Sequence, residues 1–328
     1  MEFLTEPTIV VAIIEVVVGI ALLTRAADEF VEGAANVAGV LRVSPVVIGA
    51  VIVGFGTSAP ELLVSGIAAS NGDLELGVGN VVGSNVANLT LVLGAAALIV
   101  PLVVSTKVLA REAPLSLLAV LLFAFFTMGG LARWEGIVLL VCLVFALSWI
   151  MLGGRAEDVA PVDIDAGATL GSQLVRTLIG LVGTVLGAQL LVWGATAIAD
   201  ALGITGGMVG FTLVAVGTSL PELVTAVVAA RKGETDLILG NLLGSNLFNS
   251  LAVGGVISVI ANGPIEDRGL ATYGVIGMAL VAFFAWVFMV SKRRVHKVEA
   301  IVLLSAWVGS VLLMAGESTG IEGALSWL

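Results

Sequence analysis

Residues 49–94 recur 161 positions further along the chain without a gap, and 20 of the 46 positions are identical in the two copies. Self-similarity of this kind means that two units of one design must pack against each other, so the fold belongs to the pair. The longest matches are Gly56-Thr57-Ser58-Ala59-Pro60-Glu61 with Gly217-Thr218-Ser219-Leu220-Pro221-Glu222, and Gly79-Asn80-Val81-Val82-Gly83-Ser84-Asn85-Val86-Ala87-Asn88 with Gly240-Asn241-Leu242-Leu243-Gly244-Ser245-Asn246-Leu247-Phe248-Asn249. Both pairs sit in apolar surroundings. Hydrophobic side chains make up 59% of the chain and charged ones 12%, against about 25% charge in a soluble domain, so the chain reads as a membrane protein.

A span of the hydrocarbon core takes about 20 apolar residues. Breaks at charge, Gly and Pro clusters divide the chain into ten: 8–40, 44–70, 75–100, 108–129, 134–153, 171–202, 206–230, 236–261, 268–290 and 297–316. The first and sixth exceed the length that an upright helix needs at about 1.5 Å per residue, so both are expected to tilt or to project beyond the core. Five spans per copy is an odd number, so the second copy starts on the opposite face of the membrane and the repeats are inverted. Inverted repeats with interrupted helices at matching places are the architecture of secondary transporters, with ion sites near the midplane. The expected fold is all-α, with residues 1–153 and 171–328 as five-helix repeats and 154–170 as a short cytoplasmic linker. The acidic groups of that linker, Glu157, Asp158, Asp163 and Asp165, read as a solvated loop.

Lys and Arg collect on the cytoplasmic side of membrane proteins. Loops after the odd-numbered spans, with the span starts that adjoin them, hold 11 of the 14: Arg42, Lys107, Arg111, Arg155, Arg176, Arg231, Lys232, Lys292, Arg293, Arg294 and Lys297. Arg133 and Arg268 lie opposite, and Arg25 lies within the first span. This bias places both termini outside a multi-pass protein of the cell membrane. The first six residues lack a basic region, so the first span is expected to stay rather than to be cleaved.

A net charge of −10 removes the basic footprint that nucleic acid requires. The lone Cys142 allows no intrachain disulfide or cysteine-based metal cluster, and the lone His296 lies in a basic loop, so a histidine-paired nucleophile is not expected. No enzyme activity and no cofactor are expected. The chemistry falls instead where the copies agree and charge lies deep in lipid. Glu61 and Glu222 meet both conditions, and a charge there costs several kcal/mol unless a function holds it. Thr57 and Ser58 precede Glu61 by four and three residues and so share its helical face, as Thr218 and Ser219 do for Glu222. Pro60 and Pro221 each release a carbonyl of the preceding turn. Asn80, Ser84 and Asn88 recur every fourth residue, as do Asn241, Ser245 and Asn249. Carboxylates, hydroxyls, amide oxygens and freed carbonyls suit Ca²⁺, which takes 6–8 oxygens at about 2.3–2.6 Å, and transition metals would favour His or Cys. Arg25, Asp28, Glu29 and Glu32, present in the first copy alone, are read as packing or gating groups.

The paired Gly-Thr-Ser-x-Pro-Glu and Gly-Asn-x-x-Gly-Ser-Asn-x-x-Asn motifs resemble the two α-repeats of the sodium/calcium exchanger family. The resemblance implies alternating access, with Ca²⁺ held between Glu61 and Glu222 and assisted by carbonyls at Thr57 and Thr218. It implies flanking Na⁺ sites at Ser58, Ser84, Asn88, Ser219 and Ser245 with carbonyls at Gly54 and Ala215, and a first and sixth span that slide against the other eight. Many members carry an aspartate at one of the positions of Asn88 and Asn249, both amides here, which leaves two carboxylates in the site. The expected function is Na⁺/Ca²⁺ antiport by a single chain. The alternatives are an H⁺/Ca²⁺ exchanger and a passive cation channel.

Overall fold

The computed structural model describes residues 7–153, 169–201, 217–267 and 269–318. Apart from a two-residue antiparallel pairing of Leu102 with Val295 and Val103 with Arg294, the regular structure of these residues is helical. Among them, seven helices are long and apolar enough to cross a membrane, and the bent pair Pro45–Thr57 and Ala59–Ser70 makes an eighth candidate. The helix Lys297–Ser318 occupies the tenth expected span, and Leu220–Lys232 occupies the second half of the seventh.

The two longest helices are Pro7–Leu41, of 35 residues, and Leu170–Ala201, of 32. At about 1.5 Å per residue both exceed a core about 30 Å thick. They lie against each other along their length because glycines remove the side chains that would hold them apart. A Cβ on Gly180 would stand 2.6 Å from Phe30 Cα, one on Gly187 2.6 Å from Leu23 N, and one on Gly194 2.9 Å from Val16 Cγ2. As the number rises on one helix it falls on the other, so the two run antiparallel. These are the first helices of the two repeats, so their opposed directions are those of inverted copies.

Two helical segments, Leu74–Ile99 and Thr235–Ile260, are buried over 78% and 83% of their span windows, against 22–44% for the other five. They form the centre of the bundle. Both carry the Gly-Asn-x-x-Gly-Ser-Asn motif, whose small residues admit close backbone approach. A Cβ on Gly49 would come 2.9 Å from Gly240 Cα, and one on Gly244 2.5 Å from Ala50 Cα. Each central segment widens to a π-turn at its last motif asparagine, over Asn88–Val92 and Asn249–Val253, and a third π-turn spans Gly49–Val53. Such turns shift the backbone register inside a helix and cluster at functional sites.

The Pro45–Thr57 and Ala59–Ser70 pair bends by 43° at Ser58. Pro60 accounts for the break, since proline is tolerated in the first turn of a new helix but not inside a continuous one. Ser219, before Pro221, repeats the backbone of Ser58 closely: φ −87°, ψ 5° against φ −85°, ψ 8°.

Candidate functional site

At each break the chain restarts a helix with Ser at the cap, Pro at the second position and Glu at the third, so Glu61 and Glu222 fall in first turns. A carboxylate there faces the positive end of the helix dipole, which offsets part of its burial cost. Both glutamates are 0% exposed. They lie near enough to repel each other, and hydroxyls flank each of them: Thr218 and Ser84 beside Glu61, and Thr57, Ser58 and Ser245 beside Glu222. Only Ser58 closes to hydrogen-bond distance, its Oγ donating to Glu222 Oε1 at 3.2 Å. Glu222 Oε2 and both carboxylate oxygens of Glu61 are buried without a hydrogen-bond partner.

The repeats exchange contacts reciprocally. Thr57 Oγ1 reaches Asn241 Oδ1 at 3.2 Å, and Thr218 Oγ1, 161 positions after Thr57, reaches Asn80 Oδ1 at 3.3 Å. Thr57 Oγ1 also lies 3.1 Å from the Val53 carbonyl. Ser245 Oγ is 3.4 Å from both the Gly54 carbonyl and Asn241 Oδ1, and Gly54 accepts a second bond from Ser58 N at 3.2 Å. Asn88 Nδ2 donates to Asn246 Oδ1 at 3.2 Å and leaves its own Oδ1 unpartnered. Ser84 Oγ, Ser219 Oγ and both amide atoms of Asn249 are buried with no partner. Of the expected site residues, Ala215 lies outside the described residues. Among the described residues no group of three or more His, Cys, Asp and Glu could hold a metal ion. A cation between the two glutamates must therefore complete its shell from hydroxyl, amide and backbone oxygens, the donor set of a hard ion.

The acidic group on Pro7–Leu41 packs helices together. Arg25 pairs with Glu29 at 2.6 Å, Arg176 with Glu29 at 2.6 Å and Glu32 at 2.9 Å, and Lys232 with Asp28 at 3.2 Å and Glu32 at 3.0 Å. Burial opposes the Lys232 charge, yet the bonds to Glu32 and Asp28 hold its ammonium above the usual lysine range. Burial raises the Glu234 carboxyl, with the charge of Asp236 adding to it.

Sequence reasoning passed over several buried polar groups. Asn85 donates to Ser250 Oγ at 3.0 Å, and Asn246 is the partner of Asn88. Both lie in the repeated motif but off the every-fourth-residue face that singled out its neighbours. Ser65, at 0% exposure, has no signal of this kind, because the second copy carries alanine at the matching position 226. Glu112, 1% exposed, is bonded by Arg111 Nε at 2.7 Å and follows a residue read as a loop cation.

Comparison with known proteins places this arrangement. The family model described as "Sodium/calcium exchanger protein" matches residues 11–152 and 172–316, one stretch for each repeat. A protein named antiporter CaxA from Alkalimonas amylolytica is 40% identical over 314 residues, covering 93% of this chain and 98% of that protein. The sodium/calcium exchanger MaX1 of Methanosarcina acetivorans is 29% identical over 339 residues, covering 90% of this chain and 96% of its own. A structure of the sodium-calcium exchanger NCX_Mj soaked with Na⁺ and Sr²⁺ superposes with a TM-score of 0.84 at 31% identity, over 93% of this chain and 98% of that one. The buried glutamates, the broken helices and the inverted packing thus have one common explanation: the chain belongs to the sodium/calcium exchanger family and is a membrane antiporter, not an enzyme.

Proposed function

We propose that the chain exchanges Na⁺ for Ca²⁺, with Ca²⁺ held between Glu61 and Glu222 and Na⁺ bound at the flanking hydroxyl and amide oxygens. The observation that carries this reading is the set of three carboxylate oxygens buried without a partner, two on Glu61 and one on Glu222. Two carboxylates in a low-dielectric centre repel each other and lack solvation, so the ionised pair is stable only with positive charge between them. One Ca²⁺ cancels their charge, and two Na⁺ do the same, so the two ions compete for one electrostatic vacancy. Occupancy by either satisfies the site, and exchange follows when the loaded site opens alternately to each side. NCX_Mj, described as a sodium-calcium exchanger with a binding site that becomes occluded, supports the reading.

The Ser84, Ser219, Thr57, Thr218, Ser58 and Ser245 hydroxyls and the Asn88 and Asn249 amides are the neutral oxygens proposed to complete the ion shells, together with the Gly54 and Ala215 carbonyls. Both carboxylates come from one chain, so a single chain suffices. The pair Pro7–Leu41 and Leu170–Ala201 is the proposed moving unit. Residues 1–153 and 171–328 are the proposed repeats, joined by a cytoplasmic linker at 154–170, with both termini outside and the basic loops in the cytoplasm.

Purified protein in sealed proteoliposomes tests this. An outward Na⁺ gradient should drive Ca²⁺ uptake against its own gradient, which a channel cannot do. Uptake that follows a pH gradient in the absence of Na⁺ would replace Na⁺ by H⁺ as the coupling ion.

A further inference from the structure

The two repeats match at their carboxylates but not behind them. Asn80 stands 15 residues after Ser65, and Asn241 stands 15 residues after Ala226. Asn80 Nδ2 donates to Ser65 Oγ at 2.9 Å and to the Glu61 carbonyl at 3.3 Å. Ser65 commits its own proton to the Gly77 carbonyl at 3.4 Å, so only a lone pair faces Asn80. Turning the Asn80 amide over would set its oxygen against that lone pair and a carbonyl, with two bonds lost. Its Oδ1 is thereby fixed towards Thr218, whose hydroxyl donates to it at 3.3 Å.

Asn241 has no such restraint. Its Nδ2 is buried without a partner, and the fully buried Ala226 offers no oxygen. Its Oδ1 faces Thr57 and Ser245, yet each of those hydroxyls has another acceptor in reach, the Val53 carbonyl at 3.1 Å and the Gly54 carbonyl at 3.4 Å. If the amide turns, Nδ2 donates to the two hydroxyls and they donate to the carbonyls, so no bond is lost. A hydroxyl ligates a cation through its lone pairs and needs an acceptor for its proton. Asn80 can present only an acceptor to Thr218, whereas Asn241 can either accept from Thr57 and Ser245 or, once turned, donate to them.

We propose that Ser65 is a positioning residue that acts through Asn80, making the Glu61 half of the site preorganised while the Glu222 half, with Ala226 in place of a hydroxyl, remains adaptable. The proposal rests on the ion-binding reading of the two glutamates and deepens it. A fixed half supplies affinity without an ordering cost, and an adaptable half lets one set of oxygens serve both a divalent ion and monovalent ones.

The test is Ca²⁺-dependent thermal stabilisation of the detergent-solubilised full chain, read beside Na⁺-driven Ca²⁺ uptake in proteoliposomes. Ser65→Ala should raise the Ca²⁺ concentration for half-maximal stabilisation about 2- to 10-fold, the range of one net hydrogen bond. Its maximal uptake rate should stay within about 2-fold of the parent, since the adaptable half is untouched. In an Asn80→Ala background the same change should have no further effect, because a residue that acts through Asn80 is not additive with its loss. Ala226→Ser should do the converse, lowering the maximal rate while leaving or tightening Ca²⁺ binding, and it decides the question if Ser65→Ala fails to insert. A parent stabilised by Ca²⁺ with an unshifted Ser65→Ala, effects that add in the Asn80→Ala background, or an Ala226→Ser with unchanged rate would each overturn the proposal. A parent that Ca²⁺ does not stabilise would instead overturn the ion-binding reading beneath it.

Discussion

The Ser58 hydroxyl donates to the Glu222 carboxylate at 3.2 Å across 164 positions of sequence. One repeat thus supplies a hydrogen-bond donor to the acid of the other, and with Thr57 on Asn241 and Thr218 on Asn80 the site exists only between the copies. Each glutamate depends on the opposite repeat for its setting.

The clearest consequence concerns the acids themselves. Glu61→Gln or Glu222→Gln should lower Ca²⁺ transport by about 100-fold or more, the scale expected when a buried cation loses one of its two counter-charges. Expression and melting temperature without Ca²⁺ should hold or rise, since mutual repulsion is relieved. Near-normal exchange in either variant would place the ion elsewhere.

Coupling has an electrical signature. With both glutamates ionised, three Na⁺ against one Ca²⁺ moves one net charge per cycle, worth about 2.3 kcal/mol at 100 mV. The many neutral oxygens around the acids favour that third Na⁺, so uptake into voltage-clamped proteoliposomes should change with potential. Flux indifferent to voltage would reduce the ratio to two Na⁺ per Ca²⁺.

The seam between the two long helices can be tested by adding one carbon. Gly180→Ala places a Cβ 2.6 Å from Phe30 Cα, backbone that cannot yield, and should cost about 1–3 kcal/mol and slow exchange. Gly66→Ala, with nothing within 4 Å of its Cβ, should hold or gain about 0.5–1 kcal/mol from helix propensity. Equal melting temperatures for the two variants would mean that the seam is looser than its geometry indicates.

Orientation is open to labelling. In a Cys142→Ala background, Asn71→Cys and Arg294→Cys place single thiols at exposed positions on opposite faces. An impermeant reagent added to intact cells should modify the first and spare the second. Labelling of both from one side would rule out the opposed orientation of the repeats.

Much of the fold follows from local properties of the chain. Apolar run length places helices at Pro7–Leu41 and Leu170–Ala201 within a residue or two of the expected 8–40 and 171–202. Pro60 and Pro221, each one residue before a buried acid, mark the breaks, because the loss of one N–H acts on the adjacent turn wherever the helix goes. Repetition then singles out Glu61 and Glu222 with their hydroxyl neighbours, since a charge costly in lipid and present in both copies needs a purpose.

Sequence by itself therefore determined the apolar spans, the breaks and the paired acids, each a matter of composition or spacing within a few turns. Tertiary structure alone decided which oxygens face which. Asn80 meets Thr218, and Asn88 meets Asn246, over 138 and 158 positions, pairings set by how closely the broken and central helices pack in space, as where Gly49 meets Gly240. Ser65 lies further from view still, because it has no counterpart in the second copy. The physical reason is that hydrogen-bond direction depends on approach in space, and no periodicity along one helix encodes the face that an inverted neighbour will present.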